Sequence, residues 1–214
     1  MSAHCCHVAS APQNDGPYRR VLWIALAINA LMFLVEAGAG VAAGSVSLQA
    51  DALDFFGDAA NYGVSLFVLG MTLGRRALAA LVKGVSMGVF GLWVIGSTAY
   101  NLFWLHVPSA YAMGSIGLLA FAANVAVAVM LFRHRGGDSN RRSVWLCSRN
   151  DAIGNVAVVL AASGVFATGT AWPDLAVATV MAGLALVAAL QITRQALAER
   201  RHAALHVHGH AAAE

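Results

Sequence analysis

The sequence predicts an all-α integral membrane protein with six transmembrane helices. Of the 214 residues, 59% are hydrophobic and only 11% are charged, whereas soluble domains carry about 25% charged residues. Six apolar runs are each long enough, at roughly 20 residues, to cross the hydrocarbon core of a membrane as a helix. They are too long and too continuously apolar for the strands of a membrane barrel. A soluble enzyme, a disordered chain and a secreted disulfide scaffold are therefore excluded.

The six predicted spans are joined by short polar or turn-like connections. We place the spans near residues 21–44, 48–74, 78–104, 110–132, 143–168 and 174–193. We accordingly divide the chain into a polar tail with His and Cys residues (1–19), a six-helix transmembrane domain (20–198) and a His-rich tail (199–214).

The basic residues predict the orientation of the spans. Of the 13 Lys and Arg residues, only Lys83 and Arg149 fall within spans. The others flank spans on a single side of a six-span layout: Arg19, Arg20, Arg75, Arg76, Arg133, Arg135, Arg141, Arg142, Arg194, Arg200 and Arg201. Because cytoplasmic loops are enriched in Lys and Arg, we expect both termini to be cytoplasmic and the protein to lie in the inner cell membrane. A basic inner face also explains the pI of about 9.0 without a nucleic-acid partner.

Five carboxylates fall within the predicted spans, where charge is costly. Each costs at least about 2.5–3.5 kcal/mol to insert at the centre of a membrane helix. They are Glu36, Asp51, Asp54, Asp58 and Asp151. Their number indicates a water-filled cavity or a function that compensates for the burial.

Span 2 places three of these carboxylates on one helix face. Asp51, Asp54 and Asp58 are separated by three and four residues, so they form a stripe in which Asp54 and Asp58 can bind one ion between adjacent turns. Pairing with Lys83 or Arg149 is an alternative role for such aspartates, and helix capping is another. For Asp51, near the end of the span, capping is as good an explanation as cation binding. It would not account for Asp54 and Asp58, which lie deeper.

Span 5 repeats the same spacing. Cys147 and Asp151 are four residues apart, and Asn155 follows one turn further along. Two helices with two ligands each can supply four donors to one divalent cation, and tetrahedral zinc accepts both thiolate and carboxylate. We therefore predict a transport site formed by Asp54, Asp58, Cys147 and Asp151, with Asp51, Asn155 and Glu36 as auxiliary candidates. The metal is the cargo, and we expect no cofactor.

The charge of this site suggests a mechanism. Four ionised ligands in a region of low dielectric repel one another and are poorly solvated, which favours protonation of some of them. A divalent cation must displace those protons when it binds. The same groups can thus carry metal in one direction and protons in the other, as in an antiporter that alternates its access between the two sides.

These residues resemble the cation diffusion facilitator family of divalent metal exporters over roughly residues 20–200. The resemblance rests on Asn29 and Phe33-Leu34-Val35-Glu36 in span 1, Ser45-Val46-Ser47-Leu48-Gln49-Ala50-Asp51-Ala52 leading into Asp54 and Asp58, Asn124 in span 4, Asp151 and Asn155 in span 5, and Pro173-Asp174 opening span 6. It implies the six-helix fold, the efflux of divalent transition metals and a homodimer. In the family, the pair in span 2 and the pair in span 5 bind the transported ion.

The chain departs from the family pattern in two ways. Cys147 stands where the family usually has His, and a thiolate favours zinc, cadmium or another thiophilic ion. We therefore expect Zn²⁺ first, with Cd²⁺ or Co²⁺ as alternatives. Only about twenty residues follow span 6, so we expect a short form without the cytoplasmic domain through which many relatives bind metal and dimerise.

Both predicted tails carry metal-binding side chains. The candidates are His4, Cys5, Cys6 and His7 in the first tail, and His206, His208 and His210 in the second. Short His-rich tracts bind metal weakly, which suits a recruiting or buffering role; a solvated tail without function is the alternative.

For the protein as a whole, the alternative to a transporter is a non-transporting membrane metal receptor or storage protein. A cation channel is disfavoured, because paired ligands would hold an ion too tightly for rapid conduction.

Overall fold

A computed structural model of the protein describes residues 16–67, 73–104, 106–133 and 139–211. The described residues form six α-helices and no strand: α1 (Gly16–Ala43), α2 (Val46–Phe67), α3 (Leu73–Trp104), α4 (Ala110–Phe132), α5 (Ser139–Thr168) and α6 (Trp172–Ala211). Five of the six are long and apolar enough to cross a membrane, α2 being the exception. The predicted all-α, six-helix fold is confirmed.

The helices extend beyond several of the predicted spans. Helix α1 begins before residue 21, α5 begins before residue 143, and α6 continues well beyond residue 193. Hydropathy marks the part of a helix that lies in hydrocarbon, whereas the backbone hydrogen bonds continue into water as long as the sequence permits.

The helices run alternately up and down. Three connections meet at one end of the bundle, which we call the loop end: residues 44–45, 106–109 and 169–171. There the Ser109 amide donates to the Ala43 carbonyl over 3.0 Å, and Val46 packs with Ala171 and Leu175. The start of α1 meets the ends of α2 and α4 at the opposite end, which we call the terminal end.

Helix α2 lies between its neighbours and packs against α1, α3, α5 and α6. The remaining contacts are mainly pairwise, α3 with α6 and α4 with α5. Large apolar side chains such as Phe103, Tyr111 and Phe166 point outward, as expected where lipid replaces water. Helix α2, which carries three aspartates, is thus enclosed by its neighbours.

Two tight features permit the α1–α2 hairpin. Gly44 adopts a left-handed conformation with φ of 68°, which glycine adopts without steric cost. Gly40 lies so close to α2 that a Cβ atom there would be 2.9 Å from Gln49 Cγ. The hairpin therefore fixes the position of α2 against α1.

Asp174, near the start of α6, caps the start of α2. Its carboxylate accepts hydrogen bonds from the Val46 and Ser47 amides, at 2.9 and 3.1 Å, and from the Ser45 and Ser47 hydroxyls, at 2.7 and 2.6 Å. These amides have no partner within their own helix, and a negative charge is favourable at a helix N-terminus. Because Asp174 provides the cap, Asp51 has no capping role.

Candidate metal centre

The aspartates of α2 all lie on the enclosed helix, but their environments differ. Asp51 and Asp58 are buried, at 1% and 6% exposure, whereas Asp54 is half-buried. The Asp54 carboxyl interacts electrostatically with both of the others. The three carboxyl groups therefore form a continuous acidic stripe along α2, as their spacing predicts.

Asp58 meets Asp151 of α5. The Asp151 side chain interacts with the Asp58 carboxyl, and Tyr62 Oη donates to Asp58 Oδ2 over 3.1 Å. Two neighbouring carboxyl groups repel one another when both are ionised and no proton or cation lies between them. The contact is chemically suited to a proton or a metal ion.

Span counting alone would put Asp151 about 10 Å nearer the cytoplasm than Asp58, at 1.5 Å per residue. The two side chains nevertheless meet, because α5 begins at Ser139 and passes α2 in a different register from the one that hydropathy suggests. The spacing of the candidate ligands therefore predicts the Asp58–Asp151 interaction better than the span boundaries do.

A buried cation lies beside this pair. Lys83 of α3 is 7% exposed, and its ammonium donates to Asn61 Oδ1 on α2. It also acts electrostatically on Asp58. The sequence suggested that Lys83 balances acidic charge, but the amide that holds it carried no recognisable signal.

The fourth predicted ligand, Cys147, belongs to α5 one turn before Asp151, but its side chain lies outside the described residues, as does that of Arg149. Among the side chains that are described, no three His, Cys, Asp or Glu residues are grouped closely enough to hold one metal ion. The described structure thus joins Asp58 to Asp151 across two helices.

The auxiliary candidates form a separate layer nearer the loop end. Asn124 Nδ2 of α4 donates to Asn155 Oδ1 over 2.9 Å, and Asn155 Nδ2 donates to Asp51 Oδ2 over 2.5 Å. Glu36 of α1 is fully buried and interacts with Asp51. Polar bonds between spans are common, but the sequence did not indicate that these four residues share one network.

The candidate ligands of the tails cannot be placed. His4, Cys5, Cys6 and His7 lie outside the described residues, and so do the side chains of His206, His208 and His210, although their backbone belongs to α6.

An enclosed helix with three aspartates, packed among long apolar helices, indicates an integral membrane protein with a polar site in its interior. The family model described as the cation efflux transmembrane domain matches residues 22–199, most of the chain. The protein therefore belongs to the cation efflux family and is a cation efflux transporter that spans the lipid bilayer.

Proposed function

We propose that the protein exports divalent transition-metal cations from the cytoplasm in exchange for protons, with Zn²⁺ as the principal ion and Cd²⁺ or Co²⁺ as alternatives. The observation that carries this proposal is the contact between Asp58 of α2 and Asp151 of α5. Residues from two helices in contact at one level can bind an ion jointly and release it when the helices separate.

The transport site in this proposal consists of Asp54, Asp58, Cys147 and Asp151. Asp54 has a buried Oδ2 atom without a hydrogen-bond partner among the described residues, so this oxygen is available to a cation. Cys147 lies four residues before Asp151, a spacing that puts the two positions on the same face of α5. Three carboxylates and a thiolate match the ligands that zinc accepts. Because Asp54, Asp58 and Asp151 are not grouped closely enough in this structure to hold one ion, the proposed site requires them to move closer together when metal binds.

Proton exchange follows from the same groups. The Asp58–Asp151 contact is stable with a shared proton when the site holds no metal, and a divalent cation replaces that proton on binding. The hydrogen bond from Tyr62 Oη fixes the orientation of the Asp58 carboxyl. The site therefore has two alternative cargoes, which is the requirement for antiport.

The direction of transport rests on the basic residues. Arg19, Arg20, Arg194, Arg200 and Arg201 belong to the terminal end, which we place in the cytoplasm according to the positive-inside rule, with the protein in the inner membrane. The His and Cys residues of both tails would then collect metal on the side from which it enters. We further propose that the transporter works as a homodimer.

Zinc uptake by proteoliposomes tests this function. With an acidic lumen, wild-type protein should accumulate Zn²⁺ while protons leave, and Asp58→Asn should abolish both fluxes. Glu199→Gln makes the same chemical change at a partly exposed carboxylate of α6, which accepts a hydrogen bond from Gln195, and it should leave both fluxes intact.

Three outcomes would contradict parts of the proposal. Normal zinc uptake by Asp58→Asn would remove Asp58 from the site. Zinc uptake without opposite proton movement would exclude antiport. Zinc binding without uptake by the wild-type protein would favour a non-transporting receptor or storage protein.

A further inference from the structure

We propose that Glu36, Asp51 and Asn124 form a second divalent-cation site, closer to the loop end than the transport site, at which the metal pauses on its way out. This inference rests on the proposed metal export, because it describes a later station on the same route.

Glu36 provides the first reason to expect a cation. It is fully buried in the interface between α1 and its neighbours. Neither of its carboxyl oxygens has a hydrogen-bond partner of ordinary geometry among the described residues, although the Asp51 carboxyl lies close enough to interact with it. A buried polar group without a partner costs free energy, and a buried charge costs far more. A cation bound at this position would satisfy both oxygens.

Asp51 and Asn124 provide the second reason. The Asp51 carboxyl faces Glu36 from α2, so two acidic groups meet in the interior. Asn124 is 2% exposed, and its Oδ1 atom also lacks a partner among the described residues. Its Nδ2 atom is fixed by Asn155, which itself donates to Asp51. Hydrogen bonds through Asn155 therefore connect Asn124, with its unpartnered carbonyl oxygen, to the Asp51 carboxyl.

The second site is stacked above the transport site along the bundle. Asp51 precedes Asp58 by seven residues on α2, about 10 Å at 1.5 Å per residue. Asn155 similarly follows Asp151 by one turn of α5. Both offsets lead toward the loop end, through which an exported ion must leave in the proposed orientation. Asp54 lies between the two layers on α2.

The two sites differ in the softness of their ligands. The transport site includes the Cys147 thiolate, whereas the second site offers only carboxylate and amide oxygens. Oxygen ligands bind thiophilic ions less tightly than thiolates do. The second site therefore holds such an ion less tightly than the transport site does, which favours release of the ion from the second site to the outside.

Equilibrium binding of Zn²⁺ alone to the purified full-length protein tests the proposal. The tail ligands must first be removed from the count, so the background carries Ala in place of His4, Cys5, Cys6, His7, His206, His208 and His210. We expect two bound zinc ions per chain in this background. Glu36→Gln should bind one, and Asp58→Asn should lose the other.

A conservative variant guards against misfolding. Glu36→Asp keeps the charge and shortens the side chain, so it should weaken the second site by at least the roughly tenfold loss that even outer partners of a metal site cause. The affinity of the transport site should not change. Equal zinc affinities in Glu36→Asp and the background would overturn the proposal.

The stoichiometry gives the other decisive results. One zinc ion bound to the background, or two still bound to Glu36→Gln, would exclude the second site. These results differ from a failure of the proposed function, which would appear as normal zinc uptake by Asp58→Asn whatever the number of bound ions.

Discussion

Replacement of Asp174 by Ala should strongly destabilise the bundle, because this one carboxylate joins α6 to the start of α2. Asp174 is 1% exposed and accepts hydrogen bonds from two amides and two hydroxyls, at 2.6–3.1 Å. Ala would leave all four donors without this acceptor and would remove the negative charge from the N-terminus of α2.

The expected magnitude follows from these contacts. Hydrogen bonds to charged groups contribute about 1.5–3 kcal/mol each, so four independent bonds would exceed about 6 kcal/mol. The four donors share one acceptor, however, and water at the loop end can solvate them once the side chain is removed. We therefore expect a loss of about 3 kcal/mol in the free energy of unfolding, close to the loss found when one partner of a buried charged pair is removed. This corresponds to about 150-fold in the unfolding equilibrium.

The measurement is unfolding in mixed detergent micelles by increasing SDS, followed by tryptophan fluorescence. The stability of Asp174→Asn should lie between those of Asp174→Ala and the wild type, because the amide keeps one oxygen acceptor but places an NH₂ group among the donors. Ser163→Ala removes an exposed hydroxyl that donates to the Val159 carbonyl of the same helix, and it should change the stability by less than about 0.5 kcal/mol. Equal stabilities of Asp174→Ala and Ser163→Ala would refute the capping role.

Three further predictions concern the site and the packing. Cys147→His should shift transport preference away from Cd²⁺, because imidazole is less thiophilic; an unchanged ratio of Cd²⁺ to Zn²⁺ uptake would remove Cys147 from the ligands. Lys83→Met should raise zinc affinity about tenfold in an equilibrium zinc titration, because it removes a buried positive charge that acts on Asp58. Lys83→Arg keeps the charge, so its zinc affinity should stay near that of the wild type. Gly84→Ala should lower stability in the SDS assay by about 1–3 kcal/mol, because its Cβ would lie 2.6 Å from Thr193 Oγ1; Gly96→Ala, with open space around the new atom, is the control.

Much of the fold could be predicted from the sequence. The length of the apolar runs determines the number of helices, since each run must cross the membrane in a form that satisfies its own backbone. The i and i+4 spacing on α2 and α5 also predicted which helix faces carry the candidate ligands Asp58 and Asp151. The contact between Asp58 and Asp151 follows from that spacing, although the span boundaries argued against it.

The sequence was less informative about how the helices are aligned. The position of one helix along its neighbour depends on how their side chains pack, as where Gln49 packs closely against Gly40. Hydropathy carries no information about this packing. The hydrogen bond from Asn155 to Asp51 joins residues 104 positions apart, so no local sequence pattern predicts it. The cap supplied by Asp174 was likewise hidden, because its partners are amides at the start of another helix.

The central claim is that metal and protons share one site built by α2 and α5. Anomalous diffraction at the zinc absorption edge, from crystals of the zinc-loaded protein, tests it most directly. We predict an anomalous peak at about 2.0–2.3 Å from ligand atoms of Asp54, Asp58, Cys147 and Asp151, the distances typical of zinc ligands. Zinc-loaded crystals with no peak between α2 and α5 at this level would contradict the account.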